Sequence, residues 1–112
     1  MNFYDKIHAL VRDLKDTPEY TNYMALKTKV KADNELSEKI KKFRARQREE
    51  QMKQISGTAM DKTVKNELQQ EYSLIIQSPL AVEFFQAEIK LDVLLADMQK
   101  ILGEGLQDVI EF

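Results

Sequence analysis

The sequence predicts an all-α protein, a helical bundle. Three observations lead there. Strong helix formers (Ala, Leu, Glu, Lys, Gln, Met, Arg) dominate, and the 112 residues include 3 Gly, 2 Pro and no Trp, leaving few sites for tight turns. Apolar residues recur three and four positions apart in each stretch, and β-branched residues never form an alternating run. The stretches also open on side chains suited to accept the free N–H groups of a helix start. The length suits one domain covering residues 1–112.

Asn2, with Asp5 three residues on, reads as a relative of the capping box, and Phe3, Ile7, Leu10, Val11 and Leu14 then form one apolar stripe. Thr17-Pro18-Glu19 stops that helix and starts another: Thr caps, Pro takes the first helical position, and an acid sits in the first turn. Tyr20, Tyr23, Leu26 and Val30 give the second helix a narrow, partly aromatic face. Asp33 is the expected cap of a third, whose seam runs through Leu36, Ile40 and Phe43 to Gln47, Gln51 and Gln54 before Ser56-Gly57-Thr58 ends it. Val64, Leu68, Tyr72, Ile75 and Ile76 mark a fourth helix behind Asp61. Ser78-Pro79 opens the longest pattern, residues 79–102, with Gly103 as its expected stop. Leu106, Val109, Ile110 and Phe112 make a short amphipathic tail, expected to dock elsewhere.

The 79–102 helix carries two apolar stripes where a surface helix needs one. At about 100° per residue, Val82, Phe85, Ile89, Val93 and Ala96 fall together. Leu80, Phe84, Leu91, Leu95, Met98 and Leu102 fall on nearly the opposite side. Either other segments of the chain cover both sides, or one stripe serves an oligomer interface. A chain of 112 residues has few helices with which to cover both, which favours the interface, and the second set supplies the candidates.

Composition excludes several functions. With no Cys there is no disulfide, thiol nucleophile, Cys-ligated zinc or Cys-held iron–sulfur cluster. The opening residues lack the apolar run of a signal peptide, and no stretch approaches the ~20 apolar residues of a membrane span, so the cytoplasm is the expected location. His8 is the single histidine; Asp5 could pair with it, but one pair is not a metal site. No Gly-x-Ser-x-Gly elbow or phosphate-cradling glycine loop occurs, so no enzyme and no cofactor are expected.

Charge is distributed unevenly. Residues 1–60 hold 13 basic and 9 acidic side chains, while residues 61–112 hold 4 and 10. Two such halves attract each other as hairpin partners would. The densest run is Lys39, Lys41, Lys42, Arg44, Arg46 and Arg48, with no acid between them. On a helix these split into the stripes Lys39/Lys42/Arg46 and Lys41/Arg44/Arg48, flanking the seam. One role for them is pairing with acids of a neighbouring helix, with the 83–108 segment as the expected source. The other is a surface for a partner: an acidic protein, a membrane face, or RNA, although no aromatic stacking platform accompanies the run. Gln47, Gln51, Met52, Gln54 and Ile55 are thinly apolar for a buried seam. They are either a hairpin tip projecting past the core or a partner-facing surface, where Met and Gln adapt to varied contacts.

The order of these motifs resembles the YlbF/YmcA-type family of small helical bacterial proteins, over nearly the full length. The resemblance rests on Asn2-Phe3-Tyr4-Asp5, Glu19-Tyr20, Phe43-Arg44 leading into Gln47, Gln51 and Gln54, and Ser78-Pro79-Leu80. It continues through Ala87-Glu88, Leu91, Leu94, Leu95, Met98 and Ile101. It implies a self-associating bundle with a long hairpin. It also implies a regulatory adaptor in multiprotein complexes, influencing competence, biofilm formation and sporulation through a membrane-tethered ribonuclease. Where the family often has Asn-Pro-Glu-Leu, this chain has Asp33-Asn34-Glu35-Leu36, which keeps a capping side chain. Branches that bind an iron–sulfur cluster use cysteines, so the absence of Cys points to the YheA-like branch.

The expected function is therefore non-enzymatic regulation through binding to itself and to other proteins, a ribonuclease-containing complex among them. The basic stripes and the Gln/Met hairpin tip are the candidate surfaces. Direct RNA binding by residues 39–48, or a purely structural self-assembly, are the alternatives.

Overall fold

The computed structural model describes residues 2–111, which form six helices and, among these residues, no strand. In order they are α1 (Phe3–Lys15), α2 (Pro18–Ala32), α3 (Asn34–Ile55), α4 (Lys62–Ile75), α5 (Pro79–Gly105) and α6 (Gln107–Ile110).

The starts follow from local hydrogen bonding. The Asp5 backbone N–H donates to Asn2 Oδ1 at 2.9 Å and the Asn2 N–H donates to Asp5 Oδ2 at 3.4 Å, a reciprocal capping box. Thr17 Oγ1 accepts from the Tyr20 N–H at 3.3 Å, with Pro18 opening α2. Asp33 accepts from the Leu36 N–H at 3.1 Å, Asp61 from the Thr63 N–H at 2.9 Å, and Ser78 Oγ from the Ala81 N–H at 3.3 Å. Each satisfies a donor that the first turn leaves without an intrahelical partner.

The ends divide. At α3 the Thr58 N–H donates to the Lys53 carbonyl and the Gly57 N–H to that of Gln54, both at 3.0 Å, with Gly57 at φ +92°. This is a Schellman motif, whose left-handed residue is least strained as glycine. Gly103 does not stop α5. Its φ is not positive, and the helix runs on to Gly105, giving 27 residues and a length of about 40 Å. A glycine ends a helix by turning left-handed, and this one stays right-handed.

By packing, the chain comprises two compact units. Residues 27–83 form one; the residues up to Leu26, together with those from Phe84 onward, form the other. In the first, α3 and α4 make an antiparallel hairpin: Phe43 meets Tyr72 with ring centroids 5.9 Å apart, and Arg46 meets Glu67 and Glu71. Leu36, Ile40 and Phe43 of α3, Leu68 and Ile75 of α4, and Val30 and Ala81 are buried. Fully burying such an aliphatic side chain is worth about 1.5–3 kcal/mol. The α3 seam continues not through Gln47 and Gln51, both exposed, but through Glu50, which is 6% exposed.

In the other unit, Leu26, Phe84 and Ala87 are buried, and Tyr23 stacks on Phe84 at 5.4 Å and 26°. Leu91, Leu94, Leu95 and Met98 of α5 are half-buried. The α1 stripe is left open: Phe3, Ile7, Leu10 and Val11 are all exposed, and no residue of α1 is buried. The tail forms α6 with Leu106, Val109 and Ile110 exposed, while Phe112 lies outside the described residues.

Candidate partner-binding surfaces

The α3–α4 hairpin presents a different surface on each side of its seam. On one side, Lys39, Lys42 and Arg46 of α3 face Glu71, Leu74 and Ile75 of α4 across a cleft of about 250 Å³. The sequence-predicted stripe Lys39/Lys42/Arg46 is therefore a physical wall, three residues at i, i+3 and i+7 on one helix face.

Its members are not equivalent. Arg46 Nη1 donates to Glu71 Oε1 at 2.8 Å and Nη2 pairs with Glu67, so one guanidinium clamps two successive turns of α4. The hydrogen bond to Glu67 holds the Arg46 pKa above its ordinary value, against the lowering that burial brings, with Glu71 adding to the rise. Lys39 bridges Glu35 at 3.2 Å on its own helix. Lys42 has no ion pair or hydrogen bond among the described residues, which leaves its ammonium available at the cleft. The acids that meet Arg46 across the seam are thus Glu67 and Glu71 of α4, outside the 83–108 segment to which the sequence pointed. The hairpin's short loop brings α4 alongside α3 first.

The other stripe is less uniform. Lys41 bridges Glu38 at 3.6 Å, Arg44 is half-buried, and Arg48 is exposed. Here the seam opens into a groove of about 710 Å³, with Phe43, Leu68 and Tyr72 along its apolar side and Gln47, Gln51, Gln54, Gln69 and Met60 around it. The structure thus brings the three glutamines together on one wall. Met52 and Ile55 are strongly exposed at the hairpin end, Ile55 at 80%.

Glu50 is the residue the sequence reading missed. Its carboxylate accepts from Lys53 Nζ at 3.3 Å, and Lys53 also lies 3.8 Å from Glu49. The available signal was register: Glu50 stands seven residues after Phe43, a seam position whatever its polarity.

On α5, Phe84 of the oligomer candidates is buried in its own unit, Leu80, Leu91, Leu95 and Met98 are half-buried, and Leu102 is exposed. The opposite stripe is the more open one, with Ile89 at 62% and Val93 at 56%. His8 is exposed, and Asp5 is engaged in the α1 cap. No group of three or more His, Asp or Glu placed to hold a metal occurs among the described residues. Among them, no helix is long and apolar enough to cross a membrane.

Residues 3–107 match the family described as control of competence regulator ComK, YlbF/YmcA. A UPF0342 protein of Ligilactobacillus salivarius is 35% identical over 113 residues, covering 99% of this chain and 96% of the relative. Another, of Symbiobacterium thermophilum, is 32% identical over 109 residues and 97% of each chain. A third, of Desulfitobacterium hafniense, is 31% identical over 110 residues, 98% of this chain and 89% of its own length. A family match over nearly all the helices described above, joined by relatives aligned over nearly their full length, makes this chain a member of the YlbF/YmcA family, whose description is a regulatory one.

Proposed function

We propose that the protein is a non-enzymatic regulatory adaptor of the cytoplasm, acting by protein–protein contact within complexes that include a ribonuclease. Through them it influences RNA processing, competence, biofilm formation or sporulation. The family's regulatory description supports a role in control. The observation that carries the binding mechanism is the groove beside the α3–α4 seam. It offers an apolar side in Phe43, Leu68 and Tyr72 and an adaptable wall in Gln47, Gln51 and Gln54, next to the exposed Met52 and Ile55. Side chains of this kind repack against varied partner surfaces without leaving buried charge unpaired.

Self-association belongs to the same reading. The open stripe of α1 and the outer stripe of α5, Ile89 and Val93, leave apolar side chains in water, the kind of surface that a second copy could cover.

The test is crosslinked affinity capture from native cytoplasm, split into ribonuclease-treated and untreated halves. Protein partners should persist after nuclease and weaken when Gln51 and Ile55 are replaced by Glu. Partners that vanish with nuclease would transfer the function to RNA binding by the basic run, and bait recovered alone would leave a self-assembling structural protein. Lys42→Glu with Arg48→Glu probes the basic surface without touching the Arg46 clamp, and helicity should be retained.

A further inference from the structure

The cleft walled by Lys39, Lys42 and Arg46 has chemistry that the proposed function does not use. Its floor is apolar: Leu74 is exposed at 59% although it lies in a hydrophobic helix stretch, and Ile75 beneath it is 2% exposed. Three cations stand along its rim beside Glu71. Arg46 is shared by Glu67 and Glu71 and Lys39 pairs with Glu35, so Lys42 is the rim cation with no ion partner among the described residues and the one that an incoming carboxylate can meet. A ligand for it must bring an aliphatic side chain for Leu74 and a carboxylate within reach of Lys42.

The segment that follows Lys100 fits that description and carries no opposing cation. In it, Glu104, Asp108 and Glu111 alternate with Leu106, Val109 and Ile110. Those three apolar side chains are all exposed, Val109 at 75%, so this segment's apolar face is uncovered within its own chain. Of the acids, Glu111 accepts from Gln107 Nε2 at 2.7 Å, whereas Glu104 and Asp108 have no polar side-chain contact among the described residues. Acidic and apolar in alternation on one partner, basic and apolar on the other, is the complementarity that selects one docking mode over others.

We propose that the acidic C-terminal segment of a second copy of this chain docks in the Lys39/Lys42/Leu74 cleft. Val109 or Ile110 covers Leu74, and Asp108 approaches Lys42. The proposal rests on the self-association reading and specifies one contact of it. Repeated head to tail, the contact extends an assembly; made reciprocally, it closes a dimer.

The absence of native cysteine provides a direct test. Two purified single-site variants, Lys42→Cys and Val109→Cys, are mixed and oxidised. A disulfide between them can form only between copies. The expected result is a mixed disulfide dimer in several-fold excess over that from Thr58→Cys with Val109→Cys, Thr58 being exposed beyond the hairpin end. Equal yields would overturn the docking, including the case in which a different acidic partner fills the cleft. In parallel, Lys39→Glu with Lys42→Glu should raise the concentration for half-association about fivefold to tenfold, the size expected of solvated charge pairs. Glu104→Lys with Asp108→Lys in the same chain should restore it. If the wild-type protein sediments as a monomer at all concentrations, self-association itself fails. If it associates and neither the disulfide yield nor the charge reversal responds, the tail–cleft contact alone is wrong. The cysteine pair replaces exposed side chains and so decides the matter even where the double reversal loosens the hairpin.

Discussion

In residues 27–83, Leu36, Ile40 and Phe43 of α3 are buried with Leu68 and Ile75 of α4, and Arg46 ties the same two helices across their flank. In the other unit the large apolar side chains buried among the described residues are Leu26 and Phe84, while Phe3, Ile7, Leu10, Val11, Ile89, Val93 and Ile101 are exposed. Yet α1 has as clean an apolar stripe as any helix in the chain. An amphipathic stripe states that a helix has something to bury, not that its own chain provides the cover. The hairpin meets that need internally; α1 and the outer face of α5 present theirs outward.

The comparison is tested most severely by truncating one side chain in each unit. Ile75→Ala empties a site that is 2% exposed and should cost about 2–5 kcal/mol, independent of protein concentration. Ile89→Ala removes a side chain that is 62% exposed and should change the stability of dilute protein by less than about 0.5 kcal/mol. Urea unfolding at two protein concentrations separates the cases, because a loss that grows with concentration reports an interface. Equal, concentration-independent losses at both sites would erase the distinction between the units.

Charging the open stripe comes next in size. Ile7→Glu with Val11→Glu places two carboxylates on the exposed face of α1, where the monomer has room for them. Association should weaken by at least about tenfold in sedimentation velocity, with helicity retained. A helical content that collapses instead would show that this stripe is already covered within the chain.

How much of this was legible beforehand depends on how local each feature is. Asn2, Thr17, Asp33, Asp61 and Ser78 all cap the helices expected of them, because a cap bonds two or three residues along the same chain. The seam Leu36–Ile40–Phe43 was equally readable from spacing. Glu50, Ala81 and Ala87 were not: a charged or a small residue gives no hydrophobic signal, and what buries it is set by packing. The partners of Arg46 were misplaced for a related reason. Charge summed over residues 83–108 ignores that the Ser56–Asp61 connection lays Glu67 and Glu71 against α3. Among the candidate surfaces, sequence marked which residues are basic or adaptable. Only the packed hairpin separates the engaged Arg46 from the available Lys42.

The smallest effects come from two glycines that look alike in the sequence, one in each unit. Gly57 closes α3 at φ +92°, where an L side chain is strained, and the space around its missing Cβ is empty. Gly57→Ala should therefore destabilise by about 1 kcal/mol through backbone strain alone. Gly103 also has open space where a Cβ would stand, but it lies inside α5 with right-handed backbone. There the substitution removes conformational freedom from the unfolded chain and fits the folded one. Gly103→Ala should stabilise by about 0.5–1 kcal/mol. Thermal melts of the two single variants check the opposite signs. The pair also bears on the comparison between units. Gly57 is a fixed corner of the self-contained hairpin, so its cost should not depend on protein concentration. Gly103 lies just before the exposed acidic tail, and stiffening the helix there should favour association if that tail docks as an extension of α5. A Gly103→Ala protein that melts higher but associates less would mean that the tail must bend away from α5 at this point to reach its partner.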